Sequence, residues 1–246
     1  HLLENLITIC IGSLYFDNKT SKKFYELYMR MLELELNKQI LSDGGHCERS
    51  VSYHILILDR LVDLACTNLE YKKNIPTWLK KNISKMNIWL LQVSFNHKIT
   101  PRFNDSSMDN CPGINEVTNY AFLILNKNLK KNLSNYYEEP KIFRKMLLKK
   151  AGLKTRLYKS KEIEKLNPLF TNLKDTGWML VSPGYEWNLF FKYGKSGEKD
   201  LPAHMHSDMC SFDLFYKDKI IFGEAGISTY NPDKIRKYER SGQSHN

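Results

Sequence analysis

The pattern of apolar and polar positions changes character once along the chain. Five blocks in the first half carry apolar residues at the spacing of amphipathic helices. These blocks are residues 1–16, 21–41, 50–69, 76–95 and 115–133. Short polar or Gly/Pro-containing connections separate them, which favours antiparallel helix pairs, as in a helical bundle or an α/α toroid.

A lysine-rich stretch follows, with shorter helical segments at 141–152 and 160–166, and strand-like patterns begin near Asp175. Alternating apolar residues and turn signals predict four strands with antiparallel pairing. The predicted strands are 178–181, 187–193, 211–216 and 219–222. We therefore predict a multidomain α+β protein, with a helical domain and linker in residues 1–171 and an antiparallel β-sheet domain, sandwich-like, beginning in residues 172–246.

The charge balance predicts an anionic partner. The formal net charge is +10 at pH 7, and the sequence pI is about 9.2. Nucleic acid, anionic lipid and acidic polysaccharide would all satisfy this charge. No recognisable nucleic-acid-binding motif accompanies the basic residues, so nucleic acid is not expected. No apolar run approaches the roughly 20 residues of a membrane helix, so no membrane span is expected.

The cysteines and the chain ends indicate the redox state of the thiols and the extent of the sequence. Five scattered cysteines without CxxC pairs fit free thiols better than a disulfide framework. The chain starts without methionine inside a helical pattern and stops after a strand-like region, so we expect a piece of a longer protein, truncated at both ends. Localisation and oligomeric state stay open.

A polar, glycine-containing loop at residues 43–54 is the first candidate for chemistry. Its two glycines allow tight backbone geometry, and the turn gathers Glu48, Arg49, Ser50 and Tyr53 at a helix start. Taken alone, the loop is better explained by a well-capped helix with a half-buried tyrosine.

A second candidate is the His-x-His-x-Asp motif at residues 204–208. In an extended chain, His204, His206 and Asp208 would lie on one side. Glu224 would close the following hairpin, and His245 would come from a later loop. Imidazoles and carboxylates are ligands that zinc accepts, so the set predicts a possible metal site. The opening helix adds a polar stripe of His1, Glu4 and Asn5.

Taken in order, the motifs resemble those of heparinase II/III-type lyases and the related alginate lyases. They are His-Leu-Leu-Glu-Asn at 1–5, Asp-Gly-Gly-His-x-Glu-Arg-Ser-x-x-Tyr-His at 43–54, Pro-Arg-Phe-Asn-Asp-Ser at 101–106, His-x-His-x-Asp at 204–208 and Arg-Ser-x-x-x-His-Asn at 240–246. The resemblance covers nearly the whole chain. It implies an incomplete α/α toroid followed by an antiparallel β-sheet domain, and cleavage of a uronic-acid-containing acidic polysaccharide by β-elimination.

The resemblance also implies catalytic roles. Tyr53 and His204 match the acid–base pair, His1 matches the histidine that neutralises the uronate carboxylate, and Glu4 occupies a glutamate position implicated in some members. A tyrosine with an ordinary pKa of about 10 is a poor base at neutral pH, so Tyr53 needs help from a neighbour. Arg49, His54 and His204 are the candidates. Which residue acts as acid, and whether elimination is syn or anti, stay open.

Two further sets of residues follow from the matched motifs. The residues expected to bind substrate are Arg49, His54, Asn104, Asp105 and Arg240. His206, Glu224 and His245 match the ligands of one divalent metal ion, expected to be a structural zinc. Glu224 stands where the family usually has aspartate. This departure keeps an alternative open, namely a non-catalytic relative that binds acidic glycan in surface-polysaccharide biosynthesis.

Overall fold

A computed structural model describes most of the chain. The described ranges are residues 1–16, 18–94, 99–107, 111–125, 144, 149, 169–184, 186–197 and 204–246. Apart from Arg144 and Lys149, which are helical, the helical segments predicted at 141–152 and 160–166 lie outside the described residues.

Helices dominate the first part of the chain, as the periodicity predicts. They are α1 (Leu2–Tyr15), α2 (Lys19–Gln39), α3 (Val51–Glu70), α4 (Thr77–Gln92) and α5 (Ile114–Leu125), followed near the end of the chain by a short α6 (Lys234–Glu239). The helix α1 packs against α2 through apolar stripes that include Leu6, Cys10 and Leu32, all buried. A capping box between Asn18 and Ser21 fixes the start of α2.

Five strands form one antiparallel sheet in sequential order. They are β1 (Phe170–Leu173), β2 (Trp178–Gly184), β3 (Trp187–Lys192), β4 (Phe212–Tyr216) and β5 (Lys219–Phe222). The four predicted strands are confirmed. The additional strand β1 was not predicted, because only Leu173 of its four residues is buried and no alternation marks it.

The residues group into two compact units, each built from separate stretches of sequence. The first contains His1–Ile40, Leu56–Asn87 and Pro112–Lys159, and the second contains Leu41–Ile55, Ile88–Cys111 and Ser160–Asn246. The second unit therefore combines the sheet with two stretches that precede it in sequence. The division into domains 1–171 and 172–246 stays a prediction.

Two sequence expectations concern the chain as a whole. The described residues include all five cysteines, and no disulfide bond joins any of them. None of the helices in the described part of the chain is both long enough and apolar enough to cross a bilayer.

Candidate active site

A buried carboxylate, Asp105, organises a cluster of functional side chains in the second unit. It is fully buried, and its Oδ2 lies 2.7 Å from His204 Nδ1 while its Oδ1 lies 2.7 Å from His206 Nε2. Arg236 donates from Nη1 to Oδ1 at 2.7 Å and from Nη2 to Oδ2 at 2.6 Å. Burial alone would raise the pKa of Asp105, but the hydrogen bonds with His204, His206 and Arg236 lower it well below its usual range.

The charge on Asp105 fixes how the two histidines present themselves. An ionised carboxylate only accepts hydrogen bonds, so the ring nitrogen that faces it must carry a proton. In its neutral form His204 is therefore protonated on Nδ1 and offers the lone pair of Nε2. His206 is protonated on Nε2 and offers Nδ1. One carboxylate thus sets the tautomer of both rings.

Tyr53 lies beside His204, and a second tyrosine completes the group. The ring centroids of Tyr53 and His204 are 4.4 Å apart, and the hydroxyl of Tyr53 donates to that of Tyr230 at 2.9 Å. Tyr230 is 58% exposed and connects this pair to solvent. Burial, reinforced by the hydrogen bond to Tyr230, raises the pKa of Tyr53. Tyr53 therefore holds its proton at neutral pH and can give it only to a strong base, such as an alkoxide leaving group.

The glycine-containing loop holds the start of α3, which carries Tyr53. Asp43 accepts hydrogen bonds from the backbone N–H of Thr176 at 2.6 Å and from its hydroxyl at 3.0 Å. A Cβ on Gly45 would lie 2.3 Å from Thr176 Oγ1 and 2.8 Å from Trp89 Nε1, so only glycine fits there. The loop is therefore locked to the turn between β1 and β2.

The segment that carries Asp105 also caps α3. Ser50 Oγ donates to the backbone carbonyl of Asp105 at 3.1 Å, and the backbone N–H of Val51 donates to Ser106 Oγ at 3.1 Å. These bonds satisfy backbone groups near the helix start and tie it to residues 105–106. The positions of Tyr53 and of the Asp105 carboxylate consequently depend on each other.

The predicted substrate-binding residues are mostly buried in protein contacts. The guanidinium of Arg49 donates to the backbone carbonyls of Thr176 and Asp175, at 3.1 and 3.2 Å, and the His54 ring stacks on Trp89 with centroids 4.3 Å apart. The contacts of Arg49 and His54 hold the framework of the site, and their roles toward substrate and Tyr53 stay predictions.

Asn104 and Asp105 are also held by protein contacts, and their substrate-binding roles stay predictions. Asn104 adopts a positive φ of 54°, and its Nδ2 donates to three backbone carbonyls, with the shortest bond of 2.7 Å to Ser196. Both side chains are buried and occupied by protein partners. Arg240, which is partly exposed, donates from Nε to the carbonyl of Met205 at 2.9 Å. Its substrate-binding role stays a prediction.

Asp208 does not join the two histidines, contrary to the expectation from i, i+2 spacing. Its carboxylate forms an ion pair with Lys192, and both side chains are fully buried. It also accepts the backbone N–H of Asn104 at 3.0 Å. Residues 204–208 do not form a strand, since His204 lies in a 3₁₀ turn and Ser207 at a bend, so side chains do not alternate there. The expected common face is therefore wrong for Asp208.

The predicted metal ligands lie near one another but are not arranged as a finished site. His245 Nδ1 bonds to Glu224, and the rings of His206 and His245 have centroids 5.3 Å apart. In the ranges that the structure describes, no group of three or more His, Cys, Asp or Glu side chains is arranged to hold a metal ion. Yet His206 Nδ1 and His245 Nε2 are buried without a hydrogen-bond partner among the described residues. Such imidazole nitrogens are donors that zinc uses, so the residues fit the ion and the site stays a prediction.

The two predicted residues at the chain start belong to the first unit. His1 is exposed at the N-cap position of α1, and Glu4 accepts a hydrogen bond from Arg60 Nε at 3.3 Å. Their catalytic roles stay predictions.

Sequence reasoning missed Tyr230 and Arg236. Asp233 caps α6 by accepting the backbone N–H of Arg236 at 2.9 Å, and an Asp before a lysine- and arginine-rich hexamer is a recognisable helix start. That signal would have located the helix. It would not have identified Asp105, 131 positions earlier, as the partner of Arg236.

The family of the chain follows from comparison with known proteins. Residues 1–133 match the model of the heparinase II/III N-terminus, and residues 165–246 match the heparinase II/III-like C-terminal model. The chain belongs to the heparinase II/III family. The fold is accordingly an α/α toroid portion followed by an antiparallel β-sheet domain, as predicted.

Individual relatives carry names from one group of enzymes. The chain is 22% identical to the heparin-sulfate lyase of Pedobacter heparinus over 253 residues, which covers 99% of this chain and 34% of the relative. A crystal structure of heparinase III gives a TM-score of 0.71 at 19% identity, covering 99% of this chain and 38% of that one. Heparan sulfate lyase HepC from Pedobacter heparinus gives 0.65 at 20% identity, covering 97% and 35%. The chain thus spans about a third of the length of these relatives.

Proposed function

We propose that the protein is a polysaccharide lyase that cleaves a uronic-acid-containing acidic glycan by β-elimination, with Tyr53 and His204 as its acid–base pair. The observation that carries this proposal is the Tyr53–His204 contact, with ring centroids 4.4 Å apart, on top of a buried Asp105. Family membership and the names of the relatives support the same reaction class.

The geometry favours a division of labour within the pair. In its neutral form, His204 offers the lone pair of Nε2 while Asp105 holds its Nδ1 proton, the arrangement of a general base oriented by a carboxylate. The pKa of Tyr53 is raised mainly by its burial, so Tyr53 keeps a proton to give. We therefore assign the base to His204 and the acid to Tyr53.

In the proposed reaction, the C5 proton of the uronate passes to His204 Nε2. The C5–H electron pair forms the C4–C5 double bond, the bond from C4 to the glycosidic oxygen breaks, and that oxygen takes the proton of Tyr53. Tyr230 lies 2.9 Å from Tyr53 and is exposed, so it can return a proton from water. The carbanion character at C5 requires neutralisation of the uronate carboxylate, the role expected of His1.

A metal ion would support this site rather than take part in the proton transfers. His206, Glu224 and His245 would hold a zinc ion, which would supply a rigid structural bond between the two histidine-bearing segments. Because His206 bonds to the same carboxylate as His204, the ligand set and the acid–base pair share Asp105.

The proposed substrate is an acidic polysaccharide, in agreement with the net charge of +10. Relatives are named for heparan sulfate and heparin-sulfate cleavage, so heparan-type glycans head the test panel, followed by alginate, hyaluronate and bacterial capsular glycans.

The test measures ultraviolet absorbance of the unsaturated uronyl product, with protein expressed from its complete coding sequence. Tyr53→Phe removes only the acidic hydroxyl and is expected to lower kcat by about 10²-fold or more, the usual contribution of general acid–base catalysis. Tyr238→Phe, at an exposed tyrosine, is the matched control and should retain wild-type activity. Silence across the panel from folded, zinc-loaded protein would contradict the proposal and favour a non-catalytic glycan-binding relative.

A further inference from the structure

One residue of the Asp105 cluster has received no role from the sequence motifs, namely Arg236 in α6. The residue is 8% exposed, and it donates one hydrogen bond to each oxygen of Asp105, at 2.7 and 2.6 Å. Two parallel N–H groups matched to two carboxylate oxygens fix the orientation of the carboxylate as well as its charge.

Arg236 contacts one neighbour of each member of the acid–base pair. Through Asp105 it reaches Nδ1 of His204. Its guanidinium carbon also lies 5.4 Å from the ring centroid of Tyr230, whose hydroxyl bonds to Tyr53. One buried side chain therefore contacts the support of the proposed base and the neighbour of the proposed acid.

A simple stabilising ion pair would not need this geometry. A lysine at the same position would supply the positive charge to Asp105, but as a point charge it cannot donate to both oxygens in a fixed plane. Charge and orientation can thus be separated by one substitution.

We propose that Arg236 is a positioning residue of the site. It orients Asp105 so that His204 stays protonated on Nδ1, and it holds Tyr230 against Tyr53. The effect on catalysis rests on the proposed lyase function, whereas the effect on the His204 ring does not.

The kinetic test compares Arg236→Lys with wild type in protein expressed from its complete coding sequence. We expect kcat to fall by about 10²-fold, the effect of a small misplacement of a catalytic group, while KM changes by less than about threefold. Lys237→Gln removes an exposed charge from the same short helix and should leave both constants unchanged.

The second readout needs no substrate. Ring-nitrogen chemical shifts of His204, assigned by comparison with His204→Gln, report its tautomer at one mildly alkaline pH. Wild type and Lys237→Gln should show the proton on Nδ1, and folded Arg236→Lys should show a mixture of both tautomers. A merely structural role would lower the unfolding midpoint and leave the tautomer in folded molecules unchanged.

The outcomes separate the two claims. An unchanged tautomer and an unchanged kcat in folded Arg236→Lys overturn the positioning role, even when lyase activity is observed. A shifted tautomer in a protein that cleaves no polysaccharide supports the positioning role and rejects the lyase function. Should Arg236→Lys fail to fold, Arg236→Gln, which loses the paired contact with Asp105, makes the same test. A wild-type tautomer in folded Arg236→Gln would overturn the inference.

Discussion

Two buried arginines in this protein bind carboxylates, and their surroundings differ. In the first unit, Arg144 is fully buried and bonds to Asp59 and Asp63, with Nε 2.6 Å from Asp63 Oδ1. In the second unit, Arg236 binds Asp105 just as closely. Both are guanidinium–carboxylate ion pairs, although Arg144 bridges two carboxylates and Arg236 binds both oxygens of one.

The two ion pairs differ in the other residues that they contact. Asp105 also bonds to His204, which is 23% exposed through its side chain, and Arg236 lies next to the exposed Tyr230. The Arg144 cluster includes the buried ring of Tyr120, 5.4 Å from the guanidinium carbon. A buried ion pair becomes part of a candidate active site when it orients a titratable group that reaches solvent.

The largest expected effect tests this contrast directly. Arg144→Met should lower the free energy of unfolding by about 3–5 kcal/mol, because it removes the buried cation that bonds to Asp59 and Asp63 and leaves Asp63, among the described residues, with only the partly exposed Arg60. Chemical denaturation measures this loss, and kcat per folded molecule should stay at the wild-type value. A folded Arg144→Met protein with a hundredfold lower kcat would erase the distinction between the two clusters.

Zinc binding is expected to stabilise the second unit. At an ion concentration about 100-fold above Kd, binding would add about 2.7 kcal/mol to the free energy of unfolding. The expected stabilisation should disappear in His245→Ala, which removes a predicted ligand, and chelation should lower activity and stability together. Equal unfolding midpoints with zinc and with chelator would contradict the predicted zinc site.

A pair of glycine substitutions tests the close packing of Gly45 in the loop that positions Tyr53. Gly45→Ala should cost about 1–3 kcal/mol, because the new Cβ would collide with Thr176 and Trp89. Gly12→Ala, in the middle of α1 with no atom within 4 Å of the new Cβ, should instead stabilise by roughly 0.5–1 kcal/mol. Thermal unfolding compares the two, and equal effects would contradict the packing argument.

The last expected effect concerns pH and is small for each pH unit. Burial lowers the pKa of His46 from 6.5 to about 4, so the unfolded chain takes up a proton first as the pH falls. The stability linked to His46 is complete above about pH 6.5 and declines toward pH 4, by about 1 kcal/mol per pH unit. The free energy of unfolding of wild type minus that of His46→Gln isolates this slope. A flat difference between pH 6.5 and 4 would count against a neutral, buried His46.

Much of the fold was predictable because its elements repeat their apolar residues. The helices α1 to α5 and the strands β2 to β5 carry such patterns. The elements β1 and α6 do not: β1 buries only Leu173, and α6 buries only Arg236. Short elements held by one buried side chain give no period to detect.

The candidate site was predictable only in part, for a related reason. The ordered motifs singled out Tyr53 and His204, and the structure brings these two rings into contact. Membership in a motif does not tell whether a residue meets substrate or supports the backbone, and both Arg49 and Asp105, which the motifs predict to bind substrate, are buried. The partnership between Arg236 and Asp105 depends on tertiary structure and has no local signature.

The central claim is that the Asp105 cluster carries out β-elimination, and the masses of the products from a defined uronate-containing oligosaccharide test it most directly. We expect wild-type protein to yield two fragments whose masses sum to that of the substrate, one of them with a C4–C5 double bond that absorbs ultraviolet light. His204→Gln should yield neither fragment. Fragments that together contain one added water molecule, or cleavage that persists in His204→Gln, would contradict the account.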